Sequence, residues 1–476
     1  MLGLFGVLSM GARAMNTQRA GVEVAGQNLA NVNNPAYARQ RVAIASSIAI
    51  QSEVGPQGTG SDAVAITQMR SAVLDDQLQA EASNRGLLQS VQLALQYAQA
   101  ALGTQIDTTT SSAEGSTAAQ GVGGAHSLSD SLSELFSAFQ SWSTNPTSMA
   151  ERQTLLMKAS SLSLQFNQLN SRLDNLSASL NSTIQSEVSV ANQLLTDIAS
   201  LNQKITTAEA AVGASANDLR DTRQARIEEL AKYVKLDLSA GNGSSINISI
   251  GGVAMVTNNQ VNDSLEAYDA GGGQFLLRTT NTGTPLTLTG GSIQGTIQAR
   301  DVTIANLKTS INSLAGVLIT EVNNVHSAGF SLSGTTGAAF FTGSDATNIG
   351  VNAALLNDPT LLQAAGVSGA AGDNQTALAL AQLAQAKYAV LNNQTFNQSY
   401  GQTVAAFGQE LSSVNTKLSD QQTVENMLLR QRDSIGGVSL DEEMTDLTRF
   451  QKAFAASARL ITTVDEMLET VVNLKR

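Results

Sequence analysis

The chain has 476 residues, with 39 acidic and 27 basic side chains, a formal charge of −12, no cysteine and only 14% charged residues. Charge this sparse and acidic excludes the basic stripe that a nucleic-acid binder needs to neutralise phosphates. The absence of cysteine excludes disulfides, zinc–thiolate sites and cysteine nucleophiles. No apolar run reaches about 18 residues, so no membrane insertion is expected. Met1 to Met10 is apolar but lacks a basic region before it, and Arg13 soon interrupts; it reads as a helix start and not as a secretory signal.

In chain order, residues 4–32 place Leu8, Gly11, Met15, Gln18, Val22, Ala25, Leu29 and Val32 at heptad spacing, which predicts a helix of marginal intrinsic stability. Pro35 ends it, because proline disfavours helical geometry at Asn34. Residues 40–68 read as short strands and turns. A helix follows over about 70–102, with Leu74, Leu78, Leu88, Val91, Leu95 and Ala98 on one face. Residues 103–126 form a Gly/Ser/Thr/Ala linker, and a short helix then carries Leu132, Leu135, Phe136, Phe139 and Trp142. From Ala150 to Val212 runs the longest periodic segment, with polar positions near Thr183 and Glu187 marking an expected break.

A helix over 217–234 leads into 236–292, where Gly-rich turns separate short β runs and predict a small inserted β domain. Helix returns at 293–328 and again at 374–391. Tyr400 to Leu428 then form another long heptad run, which stops at Ser434-Ile435-Gly436-Gly437. Gly436 and Gly437 read as a hinge. The last segment repeats apolar positions at Leu440, Met444, Leu447, Phe450, Phe454, Ala458, Ile461, Val464, Leu468 and Val471. Ser439 with Glu442 makes a capping-box pattern at its start.

The near-mirror layout predicts a mainly α, elongated multi-domain rod. Residues 1–35 and 438–476 pair as a coiled-coil-like terminal bundle. Residues 36–235 and 293–437 form a helical body with a short β segment at 40–68. Residues 236–292 form the inserted β domain, placed at the end of the rod away from the termini.

No constellation supports catalysis, and no cofactor or metal is expected. His126 and His326 are the only histidines, too few for a ligand set. The Asp441-Glu442-Glu443 run is explained by its place at a helix N-terminus. Gly121-Val122-Gly123-Gly124 lacks the strand-to-helix context of a phosphate loop. Tyr37, Arg39 and Arg41 read either as a binding patch or as local packing.

The two ends carry a resemblance. G-Q-N-L-A-N-V-N-N-P-A-Y-A-R-Q (26–40) resembles the N-terminal signature of flagellar rod, hook and hook-associated proteins, and residues 437–474 resemble their shared C-terminus. Residues 136–159, 219–234 and 321–341 are similar to segments of the hook-associated protein 1 (FlgK) family. Ala36 stands where that family usually has Gly, and the region after Phe341 is short, as though an outer β domain were missing.

The resemblance implies a structural subunit of the bacterial flagellum that polymerises at the hook–filament junction. Implied partners are copies of itself, the flagellar hook protein, hook-associated protein 3, and an export chaperone on the C-terminal helix. It implies an extracellular location on the flagellum, reached by type III export from the cytoplasm. The expected assembly interface is Leu8, Met15, Val22, Leu29, Tyr37, Arg39, Leu447, Phe450, Phe454, Ile461, Val464, Leu468 and Val471. A hook or rod protein, a secreted coiled-coil effector or adhesin, and an enzyme carried on an axial scaffold are the competing readings.

Overall fold

The computed structural model describes residues 3–52, 55–103 and 127–473. Helix α1 (Leu4–Ala30) leads into a two-part β ribbon, in which β1 (Gln40–Ser46) pairs antiparallel with β4 (Ser61–Gln68) and β2 (Ala49–Ser52) with β3 (Gly55–Gly58). A register shift at Ala43/Ile44 lets the ribbon bend. It lies along α1, held by Thr17 Oγ1 donating to the Ser61 carbonyl at 2.9 Å. The expected linker at 103–126 falls, beyond Gly103, outside the described residues until Ser127.

Most of the body is built on α4 (Met149–Val212), a single helix of 64 residues spanning about 96 Å at 1.5 Å per residue. The break expected near Thr183 and Glu187 is absent. Ser148 caps the start by accepting the Glu151 N–H, Gly213 ends the helix in a left-handed conformation, and no Gly or Pro interrupts the residues between. The polar stretch marks instead where one core stops and another begins. Leu155, Phe166, Leu173 and Leu180 pack in the first core with α2 (Ala72–Leu102), α3 (Leu128–Thr144) and α10 (Phe396–Gly436). Ile184, Leu195 and Ile198 pack in the second.

The second core draws on helices as well as strands. Strands β5 (Asp237–Ala240), β6 (Ile246–Ile250), β7 (Val253–Thr257) and β8 (Gln260–Val261) form one antiparallel sheet, and β9 (Leu265–Asp269) pairs with β10 (Phe275–Thr279). Ile248, Ile250, Met255 and Val256 point into a core completed by residues 184–199 of α4 and by Ile227 and Leu230 of α5 (Asn217–Tyr233). Short strands supply one apolar face each, so this unit needs helices to close it. It also sits near the termini and not at the far end, since the first turn of α5 touches residues 27–40.

The far end is built by the start of α4, α3, α9 (Gln375–Gln382) and the turn at Pro359–Leu361. Arg152 is fully buried there, donating to the carbonyls of Pro146, Pro359 and Leu362 and lying 5.3 Å from the Trp142 ring centre. The helix expected over 374–391 ends at Gln382 and continues as two short 3-10 turns.

Helix α6 (Gly291–Gln298) runs through a π-helical turn at Ala299–Ile304 into α7 (Ala305–Ala328). By length and composition this 38-residue unit is apolar enough to cross a membrane. Leu307, Ile311, Leu314, Leu318 and Val322 are nevertheless buried in the first core. The small pair β11 (Phe341–Thr342) and β12 (Gly350–Val351), then α8 (Ala353–Asn357), complete the region after α7. Finally α11 (Leu440–Asn473) turns back along α1.

Candidate functional site

Helices α1 and α11 run antiparallel, with Gly11 against Ile461 and Gly21 against Phe450. A Cβ at Gly21 would lie 2.6 Å from the Phe450 ring, so only glycine permits this approach. The buried face of α1 is Gly11, Thr17, Gly21, Val24, Ala25 and Asn28. This is a rotation from the expected face: Leu8, Met15, Val22 and Leu29 are only half-buried, on its flanks. The seam on α1 is made of small residues that large ones on α11 fill.

On α11, Val464 is buried and Leu447, Phe450, Ile461 and Leu468 are half-buried toward α1. Phe454 and Val471 are exposed, as are Leu440, Met444, Leu460, Met467 and Val472. A single α1 partner therefore covers the middle of the apolar arc and leaves both flanks in water. Phe5, at the start of α1, is 76% exposed.

Where the pair joins the body, the Tyr37 and Glu443 side chains and the Gln40 backbone meet at Asn28. Its amide donates to the Gln40 carbonyl and to Glu443 Oε2, both at 2.9 Å. Its oxygen accepts from the Tyr37 hydroxyl at 2.8 Å and the Gln40 N–H at 3.0 Å. All the hydrogen-bonding capacity of the amide is used. Asn28 was not singled out from the sequence. The signal was present: a polar residue seven positions after Gly21, on the face that meets α11.

Arg39 occupies the centre of this knot. Its guanidinium contacts Glu442 at 2.6 Å, Glu443 at 2.7 Å and Asp446 at 3.8 Å. Its N–H donates to the Gly436 carbonyl at 2.9 Å, and its own carbonyl accepts from Met69 N–H at 2.8 Å. The arginine thus ties the first turn of α11 to the end of α10 and to the exit of β4. Glu442, expected to cap α11 with Ser439, is drawn to Arg39 instead. Glu443 is 2% exposed, so its charge depends on this arginine. Arg41, two residues on, is exposed and has no ion-pair partner among the described residues.

Helix α5 grips the other side. Asp221 accepts the Ala38 N–H at 3.2 Å and faces Arg70 at 3.4 Å; burial pushes its pKa up to about 6. Asp218 accepts from Gln27 and Gln40. Burial, with the carboxylates of Asp218, Asp221 and Glu443, raises the Tyr37 hydroxyl well above its usual range and keeps it a neutral donor to Asn28. The turn at Ala36 is an Asx turn: Asn34 Oδ1 accepts the Ala36 N–H at 3.2 Å, and no positive φ is required where the family usually places Gly.

Gly436 is buried against this knot, and a Cβ there would lie 2.3 Å from the Met69 carbonyl. Neither Gly436 nor Gly437 has a positive φ. In this packing Gly436 serves close approach, which differs from the freedom expected of a hinge. Among the described residues no cluster of three or more His, Cys, Asp or Glu could hold a metal. His326 is buried as a neutral ring, Nδ1 donating to the Ala338 carbonyl and Nε2 accepting from Gln363 N–H, with its pKa lowered to about 4 by burial. His126 and the Gly121–Gly124 run lie outside the described residues.

The geometry is that of a joint between segments. Two family models match it and the body: a flagellar hook-associated protein FlgK helical domain over residues 118–341, and a flagellar basal body rod FlgEFG protein C-terminal region over 434–474. Flagellar hook-associated protein 1 of Bacillus subtilis is 26% identical over 519 aligned residues, covering 99% of each chain. The chain is similar to flagellar hook-associated protein 1 over nearly its whole length.

The Escherichia coli relative of the same name is 22% identical, covering 97% of this chain and 98% of its own. The solved flagellar hook junction protein FlgK from Burkholderia pseudomallei shares the fold, with a TM-score of 0.62 at 14% identity over 76% of this chain and all of that one. The C-terminal match places α11 and the glycines before it in a segment shared with rod proteins, whereas the helical-domain match spans α3 to α7.

Proposed function

We infer that this chain is a structural subunit of the bacterial flagellum, assembling at the junction between hook and filament. The observation that carries the reading is the terminal pair. Its helices are fixed to the body by the Arg39–Asn28 knot, yet α11 leaves apolar flanks exposed on both sides of its seam with α1. An apolar surface divided in this way is satisfied by further copies or by similar proteins, not by the chain's own fold. The hook protein on one side, hook-associated protein 3 on the other and a chaperone covering α11 before export are the partners this reading assigns. Gly436 and Gly437 keep a proposed second role, as the place where α11 pivots before the knot closes. No catalytic step is assigned to any residue.

The rod-type C-terminal match gives a hook or rod protein some support, but the helical body supports the junction reading over it. The test is a chain lacking residues 441–476, returned to a strain deleted for the full one. Helix α11 contributes to neither of the two large cores, so the shortened monomer should keep its helical circular-dichroism spectrum and its body's unfolding transition. It should be absent from flagella and fail to restore swimming. Restored swimming would refute assembly through the terminal pair.

A further inference from the structure

Arg70 stands between the exit of β4 and the first turn of α2, and two carboxylates crowd one edge of its guanidinium. Asp75 of α2 lies 3.5 Å from Nε, and Asp221 of α5 lies 3.4 Å from Nη2. Those two nitrogens form the edge that a single carboxylate normally fills, with two bonds of about 2.7–2.9 Å. Here each acid is held at ion-pair distance only. Both acids are 5% exposed, and Oδ1 of each has no hydrogen-bond partner among the described residues. One guanidinium thus faces two buried negative charges and fully satisfies neither.

The other bases nearby are committed elsewhere. Arg432 of α10, the second cation acting on Asp75, is bound to Glu228 of α5 at 3.0 Å. Arg223, two residues after Asp221, donates to Asn202 and to the Ser244 carbonyl. Arg39 is occupied by Glu442, Glu443 and Asp446. The remaining neighbours are acids or neutral groups. Asp76 adjoins Asp75, while Asp218 and the Tyr37 hydroxyl lie near Asp221, which also meets Gln68 and the Ala38 N–H. Burial raises the pKa of both aspartates in spite of Arg70, with Glu228 adding to the rise at Asp75 and Asp218 to that at Asp221.

The pair sits where the terminal segment is seated on the body. Asp221 accepts the Ala38 N–H, and Arg70 directly follows Met69, whose N–H closes on the Arg39 carbonyl and whose own carbonyl packs on Gly436. We propose that in the closed joint the Asp75–Asp221 pair carries one proton, so that seating the terminal segment takes up a proton from solution. When the joint opens, both acids reach water and ionise, and the proton returns to solvent. An acid that holds its proton more tightly in the closed form favours closure at low pH. The joint therefore tightens on acidification and loosens above neutrality, and the proton sets how readily the terminal helices leave the body.

The test is amide hydrogen exchange on the full-length monomer, read at Arg39 and Met69, whose N–H groups close the joint at 2.9 and 2.8 Å. After correction for the intrinsic pH dependence of exchange, their protection should rise about tenfold between pH 7.5 and 5, as for one proton taken up near pH 6. Asp221→Asn removes the charge and keeps an acceptor for Ala38, and Asp75→Asn removes the other charge. Each variant should give a flat profile at the wild type's pH 5 level, with an unchanged helical circular-dichroism spectrum. Wild-type protection that is constant or falls on acidification would overturn the proposal. So would a wild-type slope retained in both variants, or flat profiles at or below the wild type's pH 7.5 level.

Discussion

Replacing Arg39 with alanine tests the claim that one arginine fastens the terminal helices to the body. The substitution leaves Glu443, 2% exposed, with only the Asn28 amide at 2.9 Å, and removes the contacts to Glu442 and Asp446. Breaking a buried ion pair from one side costs about 3–5 kcal/mol, and because Arg39 keeps 23% side-chain exposure the lower end applies, about 3 kcal/mol. The loss falls on α11 and the knot, since both cores of the body lie elsewhere. Amide hydrogen exchange in α11 should therefore quicken by about two orders of magnitude, at 1.4 kcal/mol per tenfold. The core amides of α4 should hold their wild-type rates. Adding Glu443→Gln, which removes the stranded charge and keeps an acceptor for Asn28, should recover more than half of the loss. Exchange in α11 unchanged by Arg39→Ala, or no recovery in the double variant, would refute the reasoning.

Three further outcomes follow from the packing. Gly21→Val drives a side chain into the Phe450 ring, at a cost of about 1–3 kcal/mol, and should open the terminal pair to limited proteolysis; Phe450→Ala should restore resistance. Arg152→Met strands the carbonyls of Pro146, Pro359 and Leu362 and should lower stability to denaturant by about 3 kcal/mol without altering α11 exchange. His326, held neutral with its pKa down at about 4, contributes stability that is complete above its unfolded value near 6.5 and is lost as pH falls through 4. The margin of the wild type over His326→Gln should shrink by about 3 kcal/mol between pH 7 and 4. Asp221, raised to about 6, acts with the opposite sign: its cost is complete above pH 6 and is relieved on acidification, so only the difference between the two proteins is diagnostic.

Helix positions were legible in the sequence because periodicity is a local property. The run from Ala150, the stop at Pro35 and the break at Ser434–Gly437 all come from spacing and from single punctuating residues. Three features were hidden, each for a different physical reason. The seam on α1 is carried by Gly11, Gly21 and Asn28, whose smallness or polarity counts against them in an apolar pattern. Thr183 and Glu187 break the hydrophobic rhythm of α4 without breaking the helix, because the rhythm follows what packs outside it: two cores meet there. The strands at 237–279 look self-contained along the chain, yet their core is closed by residues 184–199 and 227–234, a contact that only the fold reveals. Of the expected interface, Tyr37 and Arg39 were placed by resemblance, and their role emerged only once Asn28, Asp221 and Glu443 were seen around them.

The central claim is a location as well as a shape. Antibody against the body of this chain, applied to isolated flagella and viewed by electron microscopy, tests it most directly. The account predicts a narrow band at the boundary between hook and filament. Label distributed along the whole hook or rod would contradict it.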